Sequence, residues 1–121
     1  MQYTIPLSPI SAKDLPGRRE GRVDGRVFRT NEDIYEEYRD AAGLYLPPME
    51  IDFPVNIRAR FYVRRASKVS LVSLEEALLR VLVDCNVIKG YGSQIVVSMD
   101  GSRVWSDEKR PRTEIQIERL N

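Results

Sequence analysis

Residues 55–64 constrain the fold more than any other stretch of this chain. They alternate strictly, with Ile57, Ala59, Phe61 and Val63 on one side of an extended backbone and Arg58, Arg60, Tyr62 and Arg64 on the other. Successive side chains of a strand point to opposite faces, so this period of two predicts a strand with one side in a core and the other in water. The watered side is a row of cations interrupted by one aromatic ring.

A helix has to supply the cover for the apolar side. Leu74, Ala77, Leu78, Val81, Leu82 and Cys85 recur at helical spacing and form one continuous apolar face, predicting a long helix over residues 71–87. Ser73-x-x-Glu76 fits a capping box at its start. Cys85 lies on the apolar face and reads as a packed thiol rather than a reactive one. Val72, Leu79 and Val83 form a second apolar flank, which predicts a second copy of the chain as cover and hence a homodimer. A shorter helix is expected over 31–42, capped by Thr30 or Asn31, with Glu32 and Asp33 in its first turn and Gly43 at its end.

Short strands complete the pattern. Tyr3-Thr4-Ile5 is stopped by Pro6 and Pro9. Residues 94–118 are expected to hold the C-terminal strands. Within them Ile95-Val96-Val97 reads as a buried strand, Asp100-Gly101 as a hairpin turn, Val104-Trp105 as the start of the return, and Thr113–Ile117 as a closing alternating strand. The fold class expected is α/β (α+β): one domain over residues 1–121, with a mixed β-sheet packed against two main helices.

Composition excludes several chemistries. The chain has no histidine, which removes His-dependent nucleophile pairs, His-ligated metals and histidine general bases. Its single cysteine removes an intrachain disulfide and any Cys-rich zinc site. No apolar run is long enough to span a bilayer, and Met1-Gln2-Tyr3 does not open a signal peptide, so a cytoplasmic protein without membrane contact is expected. The net charge of +1 hides blocks of opposite sign: +3 over residues 11–29, −6 over 30–52 and +5 over 53–70. The first block, with Gly17, Gly21 and Gly25 among Lys13, Arg18, Arg19, Arg22, Arg26 and Arg29, has no clear period and reads as a long basic loop or an open hairpin. Such blocks are solvated faces or polyanion surfaces.

Over residues 55–118 the sequence resembles the RusA family of Holliday-junction resolvases, closest to its phage and prophage branch. The resemblance is carried by the run Leu71-Val72-Ser73-Leu74-Glu75-Glu76-Ala77-Leu78, by Ser93-Gln94-Ile95-Val96-Val97-Ser98-Met99-Asp100-Gly101-Ser102-Arg103-Val104, and by Arg110-Pro111-Arg112-Thr113-Glu114-Ile115-Gln116-Ile117. It is looser over the first third. The resemblance implies a homodimer that binds four-way junctions and cuts them with Mg²⁺ held by acidic residues. Those acids sit at the start of the long helix and in the loop after it. This chain departs from the pattern at both places. Ser70 and Ser73 stand at the first acidic position and the Asn position, Gly90 and Tyr91 stand where an Asp pair is expected, and Arg80 replaces a residue that is often acidic. A hydroxyl is a weak neutral ligand for a hard cation that prefers carboxylates, so magnesium binding in the family's manner is not expected and no metal ligand is assigned.

Three functions follow as expectations. The first is a DNA-binding homologue that holds branched or duplex DNA in recombination or repair without efficient cleavage, with phosphate contacts from Arg18, Arg19, Arg22, Arg26, Arg58, Arg60 and Arg64, and Tyr62 stacking or packing beside them. The second is an active Mg²⁺-dependent endonuclease with a shifted site drawing on Glu75, Glu76 or Asp84. Glu76 reads otherwise as a cap, and Asp84 is about 12 Å from it along the helix axis. The third is a regulatory factor that binds a protein through the acidic helix and Leu44-Tyr45-Leu46-Pro47-Pro48.

Overall fold

The computed structural model describes residues 1–17 and 30–120, apart from the side chain of Ser67. The alternating segment forms β2, Val55–Val63, and is flanked by strands on both edges. The last strand, β5 (Arg112–Arg119), lies antiparallel to β2 over eight residue pairs from Val55↔Arg119 to Tyr62↔Arg112. The first strand, β1 (Gln2–Ile5), pairs with the other edge of β5, also antiparallel. Thr113–Ile117 is therefore interior to the sheet. The register places Ile57 beside Ile117, Ala59 beside Ile115 and Phe61 beside Thr113, all buried on one face.

Two helices complete the core. α1, Asn31–Gly43, is capped by Thr30, whose hydroxyl accepts from Asp33 N while the Asp33 carboxylate accepts from Thr30 N. α2, Leu71–Asp84, buries Leu74, Ala77, Leu78, Val81 and Leu82. These residues join Tyr35, Tyr38 and the apolar face of β2 and β5 in a single hydrophobic cluster. The described residues form a small α+β fold with two α-helices and a mixed sheet. No helix among the described residues is long and apolar enough to cross a membrane.

Several expectations are corrected. α2 stops three residues short of 87. Asn86 adopts φ 61°, Asn86 N donates to Val83 O and Val87 N to Leu82 O. This Schellman ending reverses the chain so that Val87 and Ile88 drop into the core. The cap of α2 is Ser70, whose hydroxyl accepts from Ser73 N, and not Ser73. The sheet strand ends at Val63, so Arg64 lies past the row and donates to Glu108 O. Residues 12–14 at the start of the predicted loop form a 3-10 turn whose Ala12 and neighbouring Leu15 are buried.

The hairpin at Asp100-Gly101 does not form. β3 (Val96–Ser98) and β4 (Arg103–Ser106) both run parallel to β2, beside its beginning and its end respectively. The segment is one interrupted edge that returns from α2, as a β-α-β crossover requires. It is not buried, since Val97 is half exposed. Residues 99–102 detour off this edge, and side chains fill the gap in the ladder. Ser102 Oγ accepts from Ala59 N at 3.0 Å, while buried Asn56 donates to Asp100 O and accepts from Asp100 N (2.7 Å) and Ser98 Oγ (2.6 Å). Removing Asn56 strands these partners, so Asn56→Ala is expected to cost about 2 kcal/mol in urea unfolding. A loss below about 0.5 kcal/mol, the scale of an ordinary surface change, would show that the detour is held otherwise.

The helices are tied by polar groups at their margin. Tyr35 donates to Asp84 Oδ2 at 2.5 Å, and Arg80 Nε reaches the same oxygen at 3.3 Å. Burial, and next the hydrogen bond to the Asp84 carboxylate, hold the Tyr35 phenol well above its ordinary value. Burial pushes Tyr38 up to about 12; its phenol approaches Thr113 without closing a bond of normal geometry. Both phenols resist ionisation in the native state, whereas the unfolded chain ionises them near pH 10. The stability they confer is complete below about pH 10 and is lost as pH rises towards 12. Urea unfolding between about pH 9 and 11 is expected to show stability falling by up to about 1.4 kcal/mol per pH unit per phenol, less steeply in Tyr38→Phe. An identical slope in the variant would contradict this.

Candidate functional site

The face of the sheet opposite the core carries its charge. Across β1, β5, β2 and β4 the register sets out three rows: Gln2, Gln116 and Arg58; then Thr4, Glu114, Arg60 and Arg103; then Arg112, Tyr62 and Trp105. Two adjoining hollows open here. One, of about 460 Å³, is lined by Arg58, Arg60, Tyr62, Gly101, Arg103 and Trp105. The other, of about 190 Å³, shares Arg58 and Arg60 and is otherwise lined mainly by β1 and β5.

The arginines of this face differ in what they already hold. Arg112 is fully engaged: Nε donates to Glu114 at 3.0 Å, Nη1 to Asp107 at 2.9 Å, and its guanidinium lies 3.8 Å from the centre of the Tyr62 ring. Those partners hold Arg112 above its ordinary pKa, Glu114 foremost. Asp107, which accepts from Arg110 N and Lys109 N as well as from Arg112, is held below the usual carboxylate range. Arg60 reaches Glu114 only at 4.0 Å. Among the described residues, no carboxylate lies within ion-pair distance of Arg58 or Arg103. Arg58 lies across Gly101, where φ is +84° and a Cβ would stand 2.8 Å from Nε, so the backbone favours glycine and any side chain there would displace the arginine. Its Nε is buried without a partner.

Sequence reasoning placed Arg58, Arg60 and Tyr62 together correctly on this face and missed Arg103 and Trp105, which the parallel register sets beside Arg60 and Tyr62. The signal was there: Arg103-Val104-Trp105 also alternates, with Val104 packed against the core. One expected role is narrowed. Tyr62 already carries Arg112 on its ring, leaving Trp105, 48% exposed, as the open aromatic surface. The predicted phosphate contacts Arg18, Arg19, Arg22 and Arg26 lie outside the described residues.

The four positions compared with an acidic metal site have other occupations. Ser70 Oγ caps α2, and Ser73 Oγ accepts from Ala12 N at 2.9 Å, joining the helix to the 3-10 turn. Gly90 offers no side-chain donor atom, and Tyr91 is exposed. This donor set does not fit a magnesium ion, which takes carboxylate oxygens and water. The alternative acids do not converge either. Asp84 is held by Tyr35 and Arg80, burial raises the pKa of Glu75, and no group of three or more His, Cys, Asp or Glu among the described residues is arranged to hold a metal. Cys85 is half-buried, donates to Arg39 O and has its thiol pushed up by burial, which disfavours a reactive thiolate.

The geometry defines a two-layer α+β domain whose sheet presents a basic, partly aromatic trough to solvent. The comparisons add no relative: no protein-family model matches the chain, and no curated protein matches it. If Ser70 serves as a cap, Ser70→Ala is expected to lower stability by about 1 kcal/mol while Ser70→Asp preserves it, because aspartate caps as well as serine and favours the helix dipole. Urea unfolding checks this, and equal losses in the two variants would deny Ser70 that role.

Proposed function

We propose that this protein is a RusA-like homologue of the Holliday-junction resolvases that binds branched or duplex DNA without cutting it efficiently. One observation carries the reading. Arg58, Arg60 and Arg103 form a cationic cluster on the open sheet face, with Arg58 and Arg103 free of carboxylate partners among the described residues, as a phosphate-binding surface needs. The residues at positions 70, 73, 90 and 91, none of which brings a carboxylate, support a scaffold that lacks the family's metal chemistry. On this reading the protein works in recombination or repair in the cytoplasm, with Arg18, Arg19, Arg22 and Arg26 adding phosphate contacts. A second copy of the chain, on this reading, covers the α2 flank of Val72, Leu79 and Val83, of which Val72 is 72% exposed while Leu79 and Val83 are partly packed against the chain's own core. A protein partner is favoured only by the exposed side chains of Leu44 and Tyr45.

Gel shifts with a four-way junction and a linear duplex at low salt are expected to show binding that weakens steeply as salt rises. Arg58→Ala and Arg60→Ala are each expected to weaken both complexes and reduce the salt slope by about 1. Absence of any shift at low salt would end the DNA reading. Incubation of the junction with Mg²⁺ or Mn²⁺ is expected to leave it uncut. Cleavage that Glu76→Gln abolishes would establish the shifted-site nuclease instead.

A further inference from the structure

The trough holds a feature that duplex binding does not use. Trp105 sits on the edge strand β4 with nearly half of its surface open, on the same face as Arg103, two residues earlier, and Arg60, which pairs with Arg103. The hollow between them, about 460 Å³, is also lined by Arg58, Tyr62 and Gly101, and the Arg58 side chain lies across that glycine. Tyr62, the neighbouring ring, is already stacked by Arg112 and is fixed as a wall. A large, flat, exposed indole beside Arg103, which has no carboxylate within ion-pair distance among the described residues, and Arg60, which reaches Glu114 only at 4.0 Å, matches a flat aromatic ligand that carries its own anion.

We infer that this hollow takes an unpaired nucleobase of the bound strand, stacked on Trp105, with the adjoining phosphate held by Arg60 and Arg103. The inference rests on the DNA reading and deepens it. Bases inside a duplex have their faces covered by their neighbours and cannot reach an indole, whereas unpaired bases at a junction, a gap or a single strand offer them freely. Backbone phosphate contact alone gives no reason for an exposed tryptophan on the face. Charge complementarity favours this occupant over a second copy of the chain, because copies joined through this face would bring Arg58, Arg60 and Arg103 of each together.

Trp105 is the only tryptophan in the chain, so its fluorescence reports directly on stacking. The full-length protein is titrated with a single-stranded oligodeoxynucleotide and with the blunt duplex of the same sequence. The single strand is expected to quench Trp105 saturably and more deeply than the duplex. Trp105→Ala is expected to bind the single strand about tenfold or more weakly, Trp105→Phe to recover much of that loss, and both to bind the duplex as the parent does. Circular dichroism confirms that the variants fold; Trp105→Phe, which keeps an aromatic ring on the edge strand, maintains the comparison if Trp105→Ala does not. Equal quenching by the two DNAs, or unchanged single-strand affinity in a folded Trp105→Ala, would overturn the inference while leaving the DNA reading in place. No binding of either DNA at low salt would overturn both. Fluorescence that shifts with protein concentration alone would mark the face as a contact between copies and overturn the inference.

Discussion

The pairing of β2 with β5 is the constraint on which the rest of the structure depends. Eight consecutive residue pairs lock two alternating sequences so that Ile57, Ala59 and Phe61 share a face with Ile117, Ile115 and Thr113. A slip of one residue would turn all of these into water and bring Arg58, Arg60 and Glu114 into the core, at a cost no helix could offset. Everything else attaches to this pair: β1 to the outer edge of β5, β3 and β4 to the outer edge of β2, and the helices to the apolar face. The same register that makes the core also makes the trough, because each core residue fixed inward fixes its neighbour outward.

Much of this was legible in the sequence where a local period decides the structure. The alternation of 55–63 and the helical spacing of Leu74 to Leu82 each name their elements and their buried faces without reference to the rest of the chain. The errors fall where the outcome depends on partners distant in sequence. Asp100-Gly101 is a good hairpin turn in isolation, yet the strands on either side of it find β2 instead of each other, and Asn56 and Ser102 close the gap. Nothing local to residues 96–106 says this. The end of α2 was legible in principle, since asparagine tolerates the left-handed conformation that Asn86 adopts. For the candidate site, Arg58, Arg60 and Tyr62 came from one strand's period, while Arg103 and Trp105 needed the pairing of two.

Not all arginines on the open face are equivalent, and the difference is physical. Arg112 engages Nε and Nη1 within the fold, through Glu114, Asp107 and the carbonyl of Arg110, and so braces Tyr62 and the turn before β5. Its replacement would disturb structure first. Arg103 has no carboxylate partner among the described residues, Arg60 reaches Glu114 only at 4.0 Å, and Arg58 is intermediate, its stem lying across Gly101 with Nε unpartnered. A burial cost of that kind persists when a side chain is positioned for something outside the chain, or when its terminal nitrogens are well hydrated. The neighbouring hollows on either side of Arg58 make the first account the more economical one.

The positions of Ser70 and Ser73 bear on how a binding scaffold without metal chemistry would remain stable. A helix start needs an oxygen at its cap to accept a backbone N–H, and serine and aspartate meet that need about equally well. Ser70 therefore supplies the structural half of what an aspartate there would do and omits its charge. Ser73 Oγ in turn accepts from Ala12 N and holds the 3-10 turn against α2. Exchanging an acid for a serine at a helix start changes what the surface attracts far more than how firmly the helix is held. On the proposed reading this is the relevant consequence: removing negative charge from a nucleic-acid-binding scaffold weakens its hold on a cation and lessens its repulsion of phosphate, while the packing that presents the arginines is unaffected.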